Sequence, residues 1–214
     1  SDLFAVAAAL IIGGSIGGVR AALNGSETYQ SQIVVNTIGV ALNENEFTVA
    51  SNGTEGDLLT GIEEASFKIG QHYDEAISVT NNGTIETYVR VTLTRYWEKD
   101  GSKITTLAPG LIDIHLTEGS GWIIDEDAST EERIVLYYTR PLEVGATSPD
   151  LSDYLVIDRD TSLGATQYKK DYQDTTFHLD AQVDAVQTHN ASHAIISAWG
   201  RSVTIAGDGT LSLD

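Results

Sequence analysis

Apolar and polar positions change rhythm once along this chain, and the change divides it. From Phe4 to Leu23, "FAVAAALIIGGSIGGVRAAL" is almost continuously apolar or small, and no residue from Leu3 to Val19 is charged. Beyond Gly25 the pattern alternates. "SQIVVNTIGVALNE" (Ser31 to Glu44) and "FTVAS" predict strands. In "YDEAISVTNNGTIETYVRVTLTRYW", Val89, Val91 and Leu93 alternate with Arg90, Thr92 and Thr94, which predicts a strand with one face inward. Asn82-Gly83 and Asp100-Gly101 predict tight turns. "LIDIHLTEGSGWIID", "ERIVLYYTR" and "DLSDYLVIDR" add strands, the second ended by Pro141. In "TTFHLDAQVDAVQ", Phe177, Leu179, Ala181 and Val183 take one face, and His178, Asp180, Gln182 and Asp184 the other. "HNASHAIISAWG" predicts a short helix with Asn190 as N-cap and Gly200 as stop. "SVTIAGDGTLSLD" predicts a final hairpin around Gly207-Asp208-Gly209. Short strands with closely spaced turns predict an all-β, jelly-roll-like β-sandwich over 26–214, with a short C-terminal helix and an apolar N-terminal segment, 1–25.

The apolar segment admits more than one reading. A membrane-spanning helix needs about 20 apolar residues, so the run is marginal. Its Gly13, Gly14, Gly17 and Gly18 each cost a helix interior roughly 1 kcal/mol. A secretory signal core with cleavage near Ala21 or Ala22 fits the pattern. So does a retained segment that must be buried, because an exposed apolar run of this length aggregates. A neighbouring copy of the chain is then the natural partner.

Charge narrows the partners. Across 214 residues, 31 acidic side chains face 12 basic ones, a formal charge of −19. Phosphate binding needs a Lys/Arg surface, so nucleic acid is excluded as a partner, and an anionic membrane surface is disfavoured. The acidity suits a salty or cation-rich setting outside the cell. With no Cys there is no disulfide framework and no thiolate chemistry.

No catalytic, cofactor or metal constellation stands out. His189 and His193 are four apart, but no His-Glu-x-x-His pattern accompanies them, and His72, His115 and His178 stand alone. The cluster Asp125, Glu126, Asp127, Glu131, Glu132 offers oxygens to Ca²⁺ but lacks the EF-hand spacing, which favours a solvated loop. Asn24, Asn52, Asn82 and Asn190 each begin an Asn-x-Ser/Thr sequon.

Three stretches carry a resemblance. "AVQTHNASHAIISAWG" (Ala185 to Gly200) resembles the C-terminal signature of the TasA/camelysin family of exported bacterial fibre proteins. "ISVTNNGTIETYVRVTLTRYW" is similar to that family's central strands, and "GGSIGGVRAALNGSETYQSQIVVNTIGVAL" to its N-terminal pattern. The resemblance implies a jelly-roll subunit of an extracellular filament or pilus. Such subunits polymerise head to tail by donor-strand complementation, with self as partner and no direct membrane partner once assembled. The donor would be the N-terminal segment, with Leu3, Phe4, Val6, Leu10, Ile11, Ile12 and Ile16 as its apolar side chains. The acceptor groove would be lined by the inward faces of the strongest alternating strands: Val89, Val91, Leu93, Phe177, Leu179 and Val183. A type IV pilin-like N-terminal helix, a monomeric, anchored adhesion module and a secreted hydrolase of sandwich fold are the alternatives. Some camelysin-like relatives are assigned peptidase activity. Without a defensible ligand set that activity does not carry over, and the expectation is a structural protein rather than an enzyme.

Overall fold

The computed structural model describes residues 37–214 except Gly53, together with the backbone of β1 (Ala5–Val6), β2 (Ser26–Tyr29) and β3 (Gln32–Ile33). β2 pairs antiparallel with both β1 and β3. There follow β4 (Val40–Glu44), β5 (Phe47–Ser51), β6 (Tyr73–Asp74), β7 (Ile77–Asn81), β8 (Thr87–Lys99) and β9 (Ser102–Ile104). Next come β10 (Ile112–Leu116), β11 (Trp122–Ile124), β12 (Arg133–Tyr138), β13 (Ser152–Ile157) and β14 (Thr176–Gln187). The helix α1 (Ala191–Trp199) and the hairpin of β15 (Val203–Ile205) and β16 (Leu211–Leu213) complete the chain. The predicted all-β architecture with one short C-terminal helix is present. The boundary expected at residue 25 lies outside the described residues.

The central sheet runs β11-β12-β8-β14, all antiparallel, with β9 folded back on the end of β8. A second group runs β5-β4-β7, and a third β10-β13-β6. These two are continuous, because Ser148 and Leu151 donate main-chain bonds to Val79 and Ile77, and Glu75 donates to Asp153. One apolar core takes Leu42, Val79 and Leu155 from these groups and Val91, Leu93 and Val183 from the central sheet.

The far face of the central sheet is covered as well. Tyr88, Val135, Tyr137 and Val186 pack there against Ala194 and Ile195 of α1 and against Val203 and Leu211 of the terminal hairpin. This double coverage explains why strict alternation fades. Residues 183–187 of β14 and 134–137 of β12 are buried on successive positions, as a strand covered on both faces must be.

Local chemistry sets the connections. Asp100 and Gly101 adopt φ 52° and 76°, the left-handed pair that a two-residue β8–β9 hairpin demands. Asn82-Gly83 is different. The turn forms, but β7 and β8 lie in different groups, so it is a crossover rather than a hairpin. Gly83 is needed there for close approach: a Cβ on it would lie 2.5 Å from Gly39 N and from Thr37 O. The buried Asn81 side chain organises the crossover, donating to Ile85 O (2.8 Å) and Leu142 O (2.9 Å) and accepting from Gly83 N (3.0 Å). Asn190 does precede α1, but with left-handed backbone (φ 50°) and no capping bond from its side chain. Gly200 stops the helix as expected, at φ 68°, its N–H bonding Ile196 O.

Candidate functional site

β14 is the longest element at a sheet margin. It pairs with β8 through twelve residues, Thr176↔Glu98 to Gln187↔Thr87. Among the described residues, no strand pairs with its other side. Thr188 N bonds Glu86 O in the same register, so the even-numbered residues of β14 exchange hydrogen bonds with β8. By alternation Leu179, Ala181, Val183 and Ala185 turn their N–H and C=O groups to the second side, while their side chains enter the core. Two chemically distinct surfaces thus come from the same four residues: an apolar inner face and an outward main-chain edge.

The expected acceptor residues gather on this pair of strands. Val91 faces Val183 across the ladder, Leu93 faces Ala181, and Val89 faces Ala185. Val89, Val91, Leu93, Leu179 and Val183 are packed in the shared core at 0–2% exposure. Phe177 is partly buried beside Trp97, whose indole N–H donates to Ala108 O at 2.8 Å. Of the expected donor residues, Leu3, Phe4, Leu10, Ile11, Ile12 and Ile16 lie outside the described residues. Val6 is described only as backbone, paired with Ser26.

The other candidates resolve into separate local roles. Asp125, expected in a solvated loop, is buried and ion-paired to Arg201 at 3.1 Å. Glu131 accepts from Gly110 N (3.0 Å), and Glu132 pairs with Lys103, so the carboxylates of this cluster serve different partners. His115 and His72 stack on opposite sides of Tyr154 at 4.5 and 3.9 Å, and His115 Nδ1 lies 2.6 Å from Asp153 Oδ1. His178 stacks on Tyr96 at 4.8 Å. His193 lines a shallow depression beside Asn190. Among the described residues, no three His, Asp or Glu side chains are grouped to hold a metal ion, and no helix is long and apolar enough to cross a membrane. Of the sequons, Asn52 and Asn82 touch: Asn52 Nδ2 donates to Asn82 Oδ1 at 3.1 Å, and Asn52 Oδ1 accepts from Val40 N at 3.0 Å. Asn24 lies outside the described residues.

Sequence reasoning missed two residues, Glu44 and Glu75. Both are buried, at 6% and 0% exposure. Glu44 accepts from Leu59 N at 2.7 Å and lines a cleft of about 340 Å³ with Asn45, Ile62, His72 and Tyr73. Burial pushes the Glu75 carboxyl far above the ordinary carboxylate range, and the neighbouring Glu44 adds to the effect. The signal was present in the phase of the strands. Val40, Leu42 and Glu44 share one face, and Glu75 is in step with Ile77 and Val79, so each glutamate falls where alternation places an apolar side chain.

No protein-family model, curated protein or solved structure matches the chain.

Proposed function

We propose that this chain is the structural subunit of an extracellular filament, a jelly-roll β-sandwich that polymerises head to tail through its N-terminal apolar segment. The observation that supports this reading best is the second side of β14. A long strand whose main-chain groups face away from its own sheet is a template for an added strand. The acceptor is then the main-chain edge at Leu179, Ala181, Val183 and Ala185, while Val89, Val91 and Leu93, packed in the core on the neighbouring strand, hold that edge in place. The donor is the uncharged run from Leu3 to Val19 of the next subunit, joined to the body through Gly17, Gly18 and the polar "NGSE". A head-to-tail contact of this kind does not close on itself, so it propagates. At −19 per subunit, neighbours repel, and salt favours assembly by screening them.

The test is a chain lacking residues 1–22, followed by light scattering and electron microscopy. The expected product is a folded, soluble monomer that binds a peptide of residues 1–20 and melts at higher temperature in its presence. Normal filaments from the truncated chain would sink the donor-segment reading.

A further inference from the structure

Glu44 and Glu75 stand on adjacent strands. Glu44 is the partner of Ile77 across the β4–β7 ladder, and Glu75 lies two residues before Ile77, just ahead of β7. The two carboxyl groups meet each other. Among the described residues, no N–H group reaches either oxygen of the fully buried Glu75, whose polar neighbour is the Glu44 carboxyl. Among the described residues, no Lys, Arg or His forms an ion pair with either glutamate. Two buried acids facing one another without a counter-charge oppose folding, and such a pair calls for a proton or a cation between them. The cleft beside Glu44 opens onto this pair's outer member and has room for an ion with several of its waters.

We propose that Glu44 and Glu75 hold a hard divalent cation of the Ca²⁺ class, which enters through this cleft. The donors are carboxylate oxygens, and two of them match a double positive charge. Ca²⁺ accepts irregular shells of six to eight oxygens completed by water and carbonyl groups, whereas Mg²⁺ demands near-ideal octahedral geometry and Zn²⁺ prefers nitrogen and sulfur. His72 also borders the cleft, but its ring is stacked on Tyr154. Bound there, the ion fastens β4 to β7 and, through the Leu59 N–H on Glu44, holds the 57–62 loop over the junction.

The full chain, stripped with chelator, is titrated with CaCl₂ at constant ionic strength, and thermal unfolding is followed. The expected result is a saturable rise in Tm of roughly 5 °C or more at high occupancy, a smaller rise with Mg²⁺, and no rise with matched NaCl. Glu75→Gln abolishes the response without lowering the Tm of the stripped protein, whereas Asp127→Asn, on the unrelated acidic loop, leaves it intact. Tb³⁺ luminescence sensitised by Tyr73 in the cleft wall, displaced by Ca²⁺ and lost in Tyr73→Phe, reads the same site in a variant that keeps both glutamates. A wild-type Tm indifferent to Ca²⁺ overturns the proposal and leaves the pair sharing a proton. A Ca²⁺ response that survives in Glu75→Gln also overturns it, by placing the ion elsewhere.

Discussion

Arg90 and Asp184 face each other across the β8–β14 ladder, and the guanidinium donates two hydrogen bonds to Asp184 Oδ2, from Nη2 at 2.6 Å and Nε at 3.1 Å. The same guanidinium lies 4.8 Å from the centre of the Trp199 ring. One cation therefore joins the central sheet to the last turn of α1. Asp184 is almost fully buried, so removing it strands a charge. Asp184→Ala is expected to cost about 3 kcal/mol in denaturant unfolding, with a red shift of Trp199 emission as α1 loosens. A cost below roughly 1 kcal/mol, the range of exposed pairs, would contradict this account.

Leu93 sits between Ile134 and Ala181 on the core face of the central sheet. Leu93→Ala should lose roughly 2–5 kcal/mol. Leu93→Asp should prevent folding under ordinary conditions, because it buries a carboxylate among the apolar side chains of the core. Circular dichroism melts check both, and unchanged melting of the aspartate variant would remove Leu93 from the core.

The two sides of β14 can be separated by proline. Ala181→Pro deletes an N–H on the side away from β8, at an overpacking cost of roughly 1–3 kcal/mol, and should fold while blocking strand addition. Gln182→Pro deletes an N–H from the β8 ladder and should unfold the central sheet. Light scattering after purification distinguishes them. Filaments from Ala181→Pro would move the acceptor edge elsewhere.

Glu75 sets a sign for the pH dependence. Its folded-state pKa is raised, so in the folded chain it keeps a proton that the unfolded chain has already released. Stability from this group is complete below the ordinary carboxylate range and declines as the pH rises above it, by at most about 1.4 kcal/mol per pH unit. In chelated buffer, wild-type stability should fall between about pH 5 and pH 8 more steeply than that of Glu75→Gln. Parallel profiles would show that Glu75 is ionised in both states.

Gly83→Ala should destabilise by at least 2 kcal/mol, on the order of a core defect, because its Cβ meets main-chain atoms that cannot give way. Gly101→Ala meets nothing within 4 Å, so its cost comes from φ 76° alone and should be about 1 kcal/mol. Urea midpoints of the two variants test the ranking.

Much of this fold was legible because period-two alternation acts locally. Val89, Val91, Leu93, Leu179 and Val183 could be assigned inward from the sequence, and Asp100-Gly101 carries its hairpin geometry in its own residues. What depends on distant partners was not legible. Asn82-Gly83 has the composition of a hairpin, yet Gly39, more than forty residues earlier, decides that it is a crossover. Asp125 looks like one member of an exposed acidic run, and Arg201 makes it a buried ion pair. Glu44 and Glu75 each occupy an apolar position of their own strand's alternation, but that the two meet follows only from the pairing of β4 with β7.

The register of β14 also fixes when this protein can fold. Thr87 pairs with Gln187, a hundred residues later, and every rung of that ladder joins segments made far apart in time. The central sheet has no closing strand until the chain has been synthesised through Gln187 of 214. Topologies dominated by such distant pairings close in milliseconds to seconds rather than microseconds. Until Gln187 has been made, β8 lacks the strand that completes its pairing, so this ladder closes late and the apolar side chains of β8 wait longest for their cover.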